Sequence, residues 1–162
     1  RIEALNFAAT AEPGPIEFEY SDAGFCNGGR HEGISRWRHG HAFRLTVRGE
    51  RLEDYLAAHH PEALSRTRYL KVDAEGYDLT VLESLAGLID QSRPVIRAEV
   101  FKLTTPEQRA RLFHFLDARG YQVHKMVGDT EYRGPRLTVS DMTRWPHFDV
   151  FAEPPAPPSG GR

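Results

Sequence analysis

The most informative stretch of the sequence is Tyr69-Leu70-Lys71-Val72-Asp73-Ala74-Glu75-Gly76-Tyr77-Asp78, in which an apolar run ends abruptly in two carboxylates and a glycine. A leucine-rich helical pattern follows, and then Arg93-Pro94-Val95-Ile96-Arg97-Ala98-Glu99. A strand, a helix and a second strand in this order predict a pair of parallel strands. In open α/β sheets, ligands bind outside the carboxyl ends of the strands. Asp73 and Glu75 occupy that position and are the first candidate site residues.

The sequence on both sides extends this α/β pattern. Apolar alternation predicts strands, and helical periodicity predicts amphipathic helices. We predict strands over 2–9, 16–20, 43–47, 69–72, 94–100, 121–127 and 147–152, and helices over 51–58, 77–89 and 106–119. Thr105 and Gln108 form a predicted capping box around Pro106. The last two strands have no helix between them and are expected to pair antiparallel.

These elements predict an α/β fold with one mostly parallel sheet, helices on both faces and an antiparallel last strand. A long loop is predicted over 21–40, a further loop with a short strand near 137–139, and a disordered tail over 154–162. The chain has 162 residues, of which 40% are hydrophobic and 27% charged, as is ordinary for one soluble domain.

The net charge of -2 gives no electrostatic footprint for nucleic acid or an anionic membrane. Basic side chains and histidines do cluster locally. We interpret the cluster as a solvated face, with a patch for an anionic substrate as the alternative. Its members are Arg30, His31, Arg36, Arg38, His39, His41, Arg44, Arg48 and Arg51.

The single cysteine, Cys26, excludes an internal disulfide. This composition fits a reducing cytosol, and we expect a cytoplasmic protein. No apolar run approaches the roughly 20 residues of a membrane-spanning helix. We therefore expect neither a membrane span nor a nucleic-acid partner.

Several segments together resemble one protein family. They are Lys71-Val72-Asp73-Ala74-Glu75-Gly76, Leu82-Glu83-Ser84-Leu85, Arg93-Pro94 and Glu99. This pattern resembles the FkbM family of S-adenosylmethionine-dependent methyltransferases, where Lys-Ile-Asp-Val-Glu-Gly precedes a helix with Val-Leu, then Arg-Pro and a Glu on the next strand. Leu52 to Leu56 resembles the short helix of that family, and Ala8 to Thr10 resembles the end of its third strand. Asp78 stands where the family more often has Glu, which is a mild departure.

The resemblance implies a Rossmann-like class I methyltransferase sheet. The Asp-x-Gly-x-Asn-x-Gly cofactor loop of the family and the acidic residue after its second strand do not occur in this sequence. We therefore interpret residues 1–153 as the C-terminal part of such a domain, lacking its first two strands. The expectation is a fragment that is inactive alone and has an open sheet edge that favours self-association.

The resemblance also implies roles for individual residues. The cofactor is expected to be S-adenosylmethionine, and the acceptor a hydroxyl of a small molecule or sugar. Asp73 is the expected catalytic and cofactor-binding residue, and a cap for the next helix is its structural alternative. Glu75 is a second catalytic candidate, as a base, a metal ligand or a brace for the loop. Glu99 is expected either to contact substrate or, as we favour, to fix the Asp73 loop.

Four further residues are weaker candidates. Asn6 and Ala9 are expected near the adenine of the cofactor, and His39 and His41 in the acceptor pocket. One cysteine and scattered histidines lack a recognised zinc spacing, so no metal site is assigned to them. Asp73 and Glu75 are two residues apart and could bind Mg²⁺ with water in the remaining positions. The alternative function is a non-catalytic α/β binding module without a functional cofactor site.

Overall fold

The structure is a computed structural model that describes residues 2–20, 28–29, 43–128 and 131–155. Strands and helices alternate from the middle of the chain onwards. The strands are β1 (Ala8–Ala9), β2 (Gly14–Tyr20), β3 (Gly28–Gly29), β4 (Phe43–Glu50), β5 (Tyr69–Val72), β6 (Val95–Val100), β7 (Gln122–Lys125) and β8 (Phe148–Glu153). The helices are α1 (Leu52–His59), α2 (Ala63–Arg66), α3 (Asp78–Ser84), α4 (Ala86–Ser92), α5 (Pro106–Asp117) and a 3₁₀ helix (Val139–Thr143).

The second half of the chain forms a four-stranded sheet with the order β5-β6-β8-β7. β5 and β6 are parallel, and β8 runs antiparallel to both β6 and β7. The predicted antiparallel pairing of the last two strands is therefore confirmed. The carboxyl ends of β5, β6 and β7 lie at one edge, where β8 begins. This edge carries the candidate site.

The first half of the chain corrects the expectation of a single, mostly parallel sheet. β1 to β4 form a separate four-stranded sheet with the order β1-β4-β2-β3. β2 and β4 are antiparallel from Gly14↔Gly49 to Tyr20↔Phe43, and only β1 runs parallel to β4. Both long strands alternate apolar with charged residues, a pattern typical of antiparallel strands with one face in solvent. The two sheets together are α/β in class.

The helix predicted over 77–89 is two helices, α3 and α4, which meet at Leu85. The Glu53 carboxylate of α1 accepts hydrogen bonds from the backbone N–H groups of Gly87 at 2.9 Å and Leu88 at 3.3 Å. A side chain distant in sequence therefore satisfies the N-terminus of α4, which makes the break stable. The apolar face continues across the break, since Leu82, Leu85, Leu88 and Ile89 are all at most 2% exposed.

The start of α5 follows the prediction. Thr105 Oγ1 accepts from the Gln108 N–H at 3.3 Å, and Gln108 Oε1 accepts from the Thr105 N–H at 2.8 Å. The short strand predicted near 137–139 is instead an isolated bridge between His124 and Arg136, followed by the 3₁₀ helix. Among the described residues, no helix has the length and apolar character needed to cross a membrane.

Candidate active site

A tight turn connects β5 to α3. The Tyr77 N–H donates to the Ala74 carbonyl at 3.0 Å. Both residues between them have positive φ, +50° at Glu75 and +99° at Gly76. Few L-residues adopt this conformation, so the turn requires the glycine that the sequence places there. The turn projects Asp73 and Glu75 from the carboxyl edge of the sheet, and both side chains are exposed.

Asp78 connects this turn to the neighbouring strand, a role that the sequence analysis did not assign to it. Its Oδ2 accepts from the N–H groups of Ala74 and Gly76, each at 3.3 Å. Its Oδ1 accepts from the N–H of Glu99 at 3.1 Å. Asp78 is 2% exposed, and this burial raises the pKa of its carboxyl although the three hydrogen bonds lower it. The sequence signal that could have indicated this role is an acidic residue at the first position of a predicted helix.

Three carboxylates converge beside the turn. Asp73, Glu75 and Glu99 each contribute one oxygen, and these oxygens lie within 4.8 Å of one another. Glu99 is only 9% exposed. Burial, and then the negative charges of Glu75, Asp78 and Asp73, raise the pKa of Glu99 to about 7. The structure thus brings together three of the residues that the sequence analysis proposed.

Two cationic or titratable groups accompany the carboxylates. Lys71 Nζ donates to Asp73 Oδ2 at 2.7 Å, and this hydrogen bond raises the pKa of Lys71. His147 Nε2 lies 3.3 Å from Glu99 Oε1. Asp73 does not cap α3, because the N-cap position belongs to Tyr77 and has no side-chain cap. The structural alternative for Asp73 is therefore wrong.

Arg109 fixes the segment that leads to His147, and the sequence analysis missed it. Its guanidinium donates to the carbonyls of five residues, with N···O distances from 2.6 to 3.3 Å. These residues are Phe101, Thr104, Met142, Trp145 and Pro146. Arg109 is 6% exposed, and burial lowers its pKa. The sequence did contain a signal for this role, because Arg109 lies on the same face of α5 as the apolar residues Leu112, Phe113 and Leu116.

A small polar cavity lies behind the turn, between α3, α5 and the end of β6. Its volume is about 130 Å³. Gly76, Asp78, Glu99, Thr104, Gln108 and Arg111 contribute to its wall. Pockets for cofactors and drug-sized ligands usually have about 300 to 1,000 Å³. This cavity is therefore too small to hold a nucleoside cofactor.

Two further predicted site residues come from the first half of the chain. Asn6 is exposed, and Ala9 is half-buried in β1 of the first sheet, whereas Asp73 directly follows β5 of the second. Their placement beside a cofactor stays a prediction. His39 and His41 lie outside the described residues, and so does most of the loop predicted over 21–40. The same holds for Cys26 and for four further members of the basic cluster, Arg30, His31, Arg36 and Arg38.

The described members of the basic cluster have acidic partners. Arg44 lies 3.4 Å from Glu17, Arg51 lies 2.8 Å from Asp54, and Arg48 pairs with Glu50. Pairing of exposed charges in this way is typical of a solvated face.

Comparison with known families gives the class of protein. The profile of the methyltransferase FkbM domain matches residues 5–123, a range that contains β1 to β6, all five α-helices and the three carboxylates. The chain belongs to the FkbM methyltransferase family, as the sequence motifs predicted. No curated protein and no solved structure matches the chain significantly.

Proposed function

We propose that this protein is an S-adenosylmethionine-dependent methyltransferase that methylates a hydroxyl oxygen of a small molecule or sugar. One observation carries the proposal. In a chain of the FkbM family, Asp73, Glu75 and Glu99 converge at the carboxyl edge of parallel strands. That edge is where open α/β sheets bind their ligands.

The carboxylates at this edge of the sheet fit the positively charged end of the cofactor. S-adenosylmethionine carries a sulfonium and an α-ammonium group, and exposed carboxylates attract both. Asp73 is the group proposed to hold that end, because it directly follows β5 and is exposed. When bound, the cofactor supplies an electrophilic methyl group. Asn6 and Ala9 remain the proposed neighbours of its adenine.

Methylation of a hydroxyl requires removal of its proton. Glu75 is the proposed proton acceptor, since it is exposed beside Asp73. Glu99 lies behind it, and its pKa of about 7 means that the carboxyl is partly protonated at neutral pH. A carboxyl with a pKa near the working pH can exchange protons with a neighbouring base. Glu99 is thus proposed to keep Glu75 in the state that accepts a proton.

Holding the acceptor in line with the methyl group is the other requirement, and alignment supplies much of the acceleration in such displacements. The Asp78 hydrogen bonds to Ala74, Gly76 and Glu99 fix the turn relative to β6. The backbone that carries the three carboxylates is therefore held in place without any ligand. His39 and His41 are the proposed further contacts to the acceptor.

Calorimetric titration of S-adenosylhomocysteine into the full-length gene product, and into this chain alone, tests the proposal. We expect binding to the full-length product. Transfer of a labelled methyl group to hydroxylated acceptors is the second readout, and Asp73→Ala should abolish it. Asp90→Ala is the matched control, since Asp90 is a half-exposed carboxylate on α4 that pairs with Arg119.

A stable full-length product that binds no S-adenosylhomocysteine would replace this proposal with the non-catalytic binding module. Full methyl transfer by a folded Asp73→Ala protein would remove Asp73 from the mechanism. Equal melting temperatures of the two variants exclude loss of folding as the cause of any difference.

A further inference from the structure

The buried carboxylate of Glu99 is incompletely partnered. Its Oε1 lies 3.3 Å from His147 Nε2. Its Oε2 is buried and has no hydrogen-bond partner among the described residues. A buried carboxylate oxygen without a partner costs free energy, so native structures usually provide one. One oxygen of the same carboxylate lies within 4.8 Å of oxygens from Asp73 and Glu75, so the group is directed at the other two acids.

Among the described residues, the charges around the three acids sum to a negative value. Lys71 contacts Asp73, His147 contacts Glu99, and Arg97 is 2.7 Å from Asp149 on the adjacent strand. These three basic side chains face five acidic ones, namely Asp73, Glu75, Glu99, Asp78 and Asp149. At this separation, the acids of the cluster repel one another. A bound cation would relieve the repulsion and give the incompletely partnered Glu99 carboxylate a further contact.

We infer that Asp73, Glu75 and Glu99 form a binding site for one divalent, oxygen-preferring cation. Three carboxylates from two adjacent strand ends supply hard oxygen ligands, and water completes the shell. The absence of histidine or cysteine ligands among the three disfavours zinc.

The spacing of the oxygens is compatible with this class of ion. Two oxygens on opposite sides of Ca²⁺ are separated by roughly 4.6 to 5.2 Å, and on opposite sides of Mg²⁺ by about 4.2 Å at most. The three oxygens of the cluster fall within 4.8 Å. Ca²⁺ thus fits with little movement, and Mg²⁺ or Mn²⁺ fits if the exposed Asp73 and Glu75 side chains move slightly inward.

Hydrogen bonds within the turn hold the backbone of the three proposed cation ligands in place. Asp78 joins Ala74 and Gly76 to Glu99 through backbone hydrogen bonds, so the strand ends that carry the three acids keep a fixed separation. The role of the cation rests on the proposed function, whereas its binding does not. A hydroxyl bound to a divalent cation loses its proton more readily, which would assist the proposed methyl transfer.

The test is titration of Mg²⁺, Ca²⁺ and Mn²⁺, each alone, into the metal-free protein without cofactor or acceptor. Calorimetry gives the stoichiometry and Kd, and the electron paramagnetic resonance signal of free Mn²⁺ gives an independent Kd. The variants are Asp73→Asn, Glu75→Gln and Glu99→Gln. Glu83→Gln is the matched control, because Glu83 is a half-exposed carboxylate on α3 that pairs with Arg111.

We expect one cation per chain, with a Kd that rises at least about ten-fold in each of the three variants and is unchanged in Glu83→Gln. No binding of any of the three cations to the wild type up to millimolar concentrations would overturn the inference. Binding that Asp73→Asn or Glu75→Gln leaves unchanged would also overturn it. Both substitutions alter exposed side chains, so the test does not depend on whether Glu99→Gln folds. Because no cofactor is present, failure here is separate from failure of the proposed methyl transfer.

Discussion

The Asp78 carboxylate accepts a hydrogen bond at 3.1 Å from the backbone N–H of Glu99, 21 residues further along the chain. The first residue of α3 is thereby joined directly to the end of β6. Since the other oxygen of Asp78 binds the turn, one buried side chain sets the position of all three site carboxylates.

Asp78→Ala should destabilise the protein by on the order of 3 kcal/mol, because three backbone N–H groups lose their acceptor. Urea denaturation measures the free energy of unfolding. Asp90→Ala, at a half-exposed carboxylate, should change it by less than about 1 kcal/mol. Equal losses in the two variants would show that Asp78 does not brace the turn.

Gly76→Ala should destabilise the protein by at least about 1 kcal/mol, because an L-residue at φ +99° is strained. Its Cβ would also lie 3.3 Å from Phe101 Cδ1. Gly128→Ala is the control, since a Cβ there meets nothing within 4 Å. Thermal melting of both proteins gives the comparison. A Gly76→Ala protein as stable as Gly128→Ala would contradict the strained turn.

Arg109→Lys should cost on the order of 2 to 3 kcal/mol, because one ammonium cannot reach the five carbonyls that the guanidinium binds. Arg111→Lys, two residues further along α5, alters only an exposed pair with Glu83 and should cost less than about 1 kcal/mol. Denaturant unfolding measures both. If the two substitutions cost the same, the buried guanidinium does not hold the 142–146 segment.

Glu99→Gln should change the pH dependence of stability. The pKa of Glu99 is about 7 in the folded protein, against 4.5 for an ordinary glutamate. The folded state therefore binds the proton more tightly, and the stability present below pH 4.5 is lost as the pH rises through 7. Gln carries no such charge. Relative to the wild type, the variant should gain stability between these pH values, by at most about 3 kcal/mol.

Unfolding of the wild type and Glu99→Gln at a series of pH values, in buffer with a chelator, measures this gain. Glu83→Gln serves as the control on an exposed carboxylate. A stability difference between wild type and Glu99→Gln that stays constant from pH 4.5 to 8 would show that Glu99 titrates normally.

Local signals in the sequence predicted the part of the fold that carries the site. The bounds of β5 were exact, and the cap of α5 at Thr105 formed as its residues indicated. The approach of Glu99 to Asp73 and Glu75 followed from a general rule, since parallel strands end at one edge of a sheet. The first two inferences needed no contact between distant segments, and the third needed only the parallel pairing that a strand, a helix and a second strand imply.

The features that sequence reasoning missed depend on such contacts. The break at Leu85 is stabilised by Glu53, 34 residues before Gly87. Arg109 binds carbonyls up to 37 residues away. The first sheet depends on which strands pair, and alternation in a single strand does not encode its partner. Burial of a charge on an apolar helix face, as at Arg109, shows that a partner exists but does not identify it.

The reversed direction of β8 has a consequence for how this protein can diversify. β5, β6 and β7 end at the site edge, but β8 begins there, so the residues just before it, including His147, arrive at Glu99 from a connecting segment. Substitutions in that segment that leave its carbonyl contacts with Arg109 in place can alter the neighbourhood of Glu99 while the β6–β8 pairing is retained. Its side chains, rather than its length, are therefore where ligand preference can change with little effect on folding.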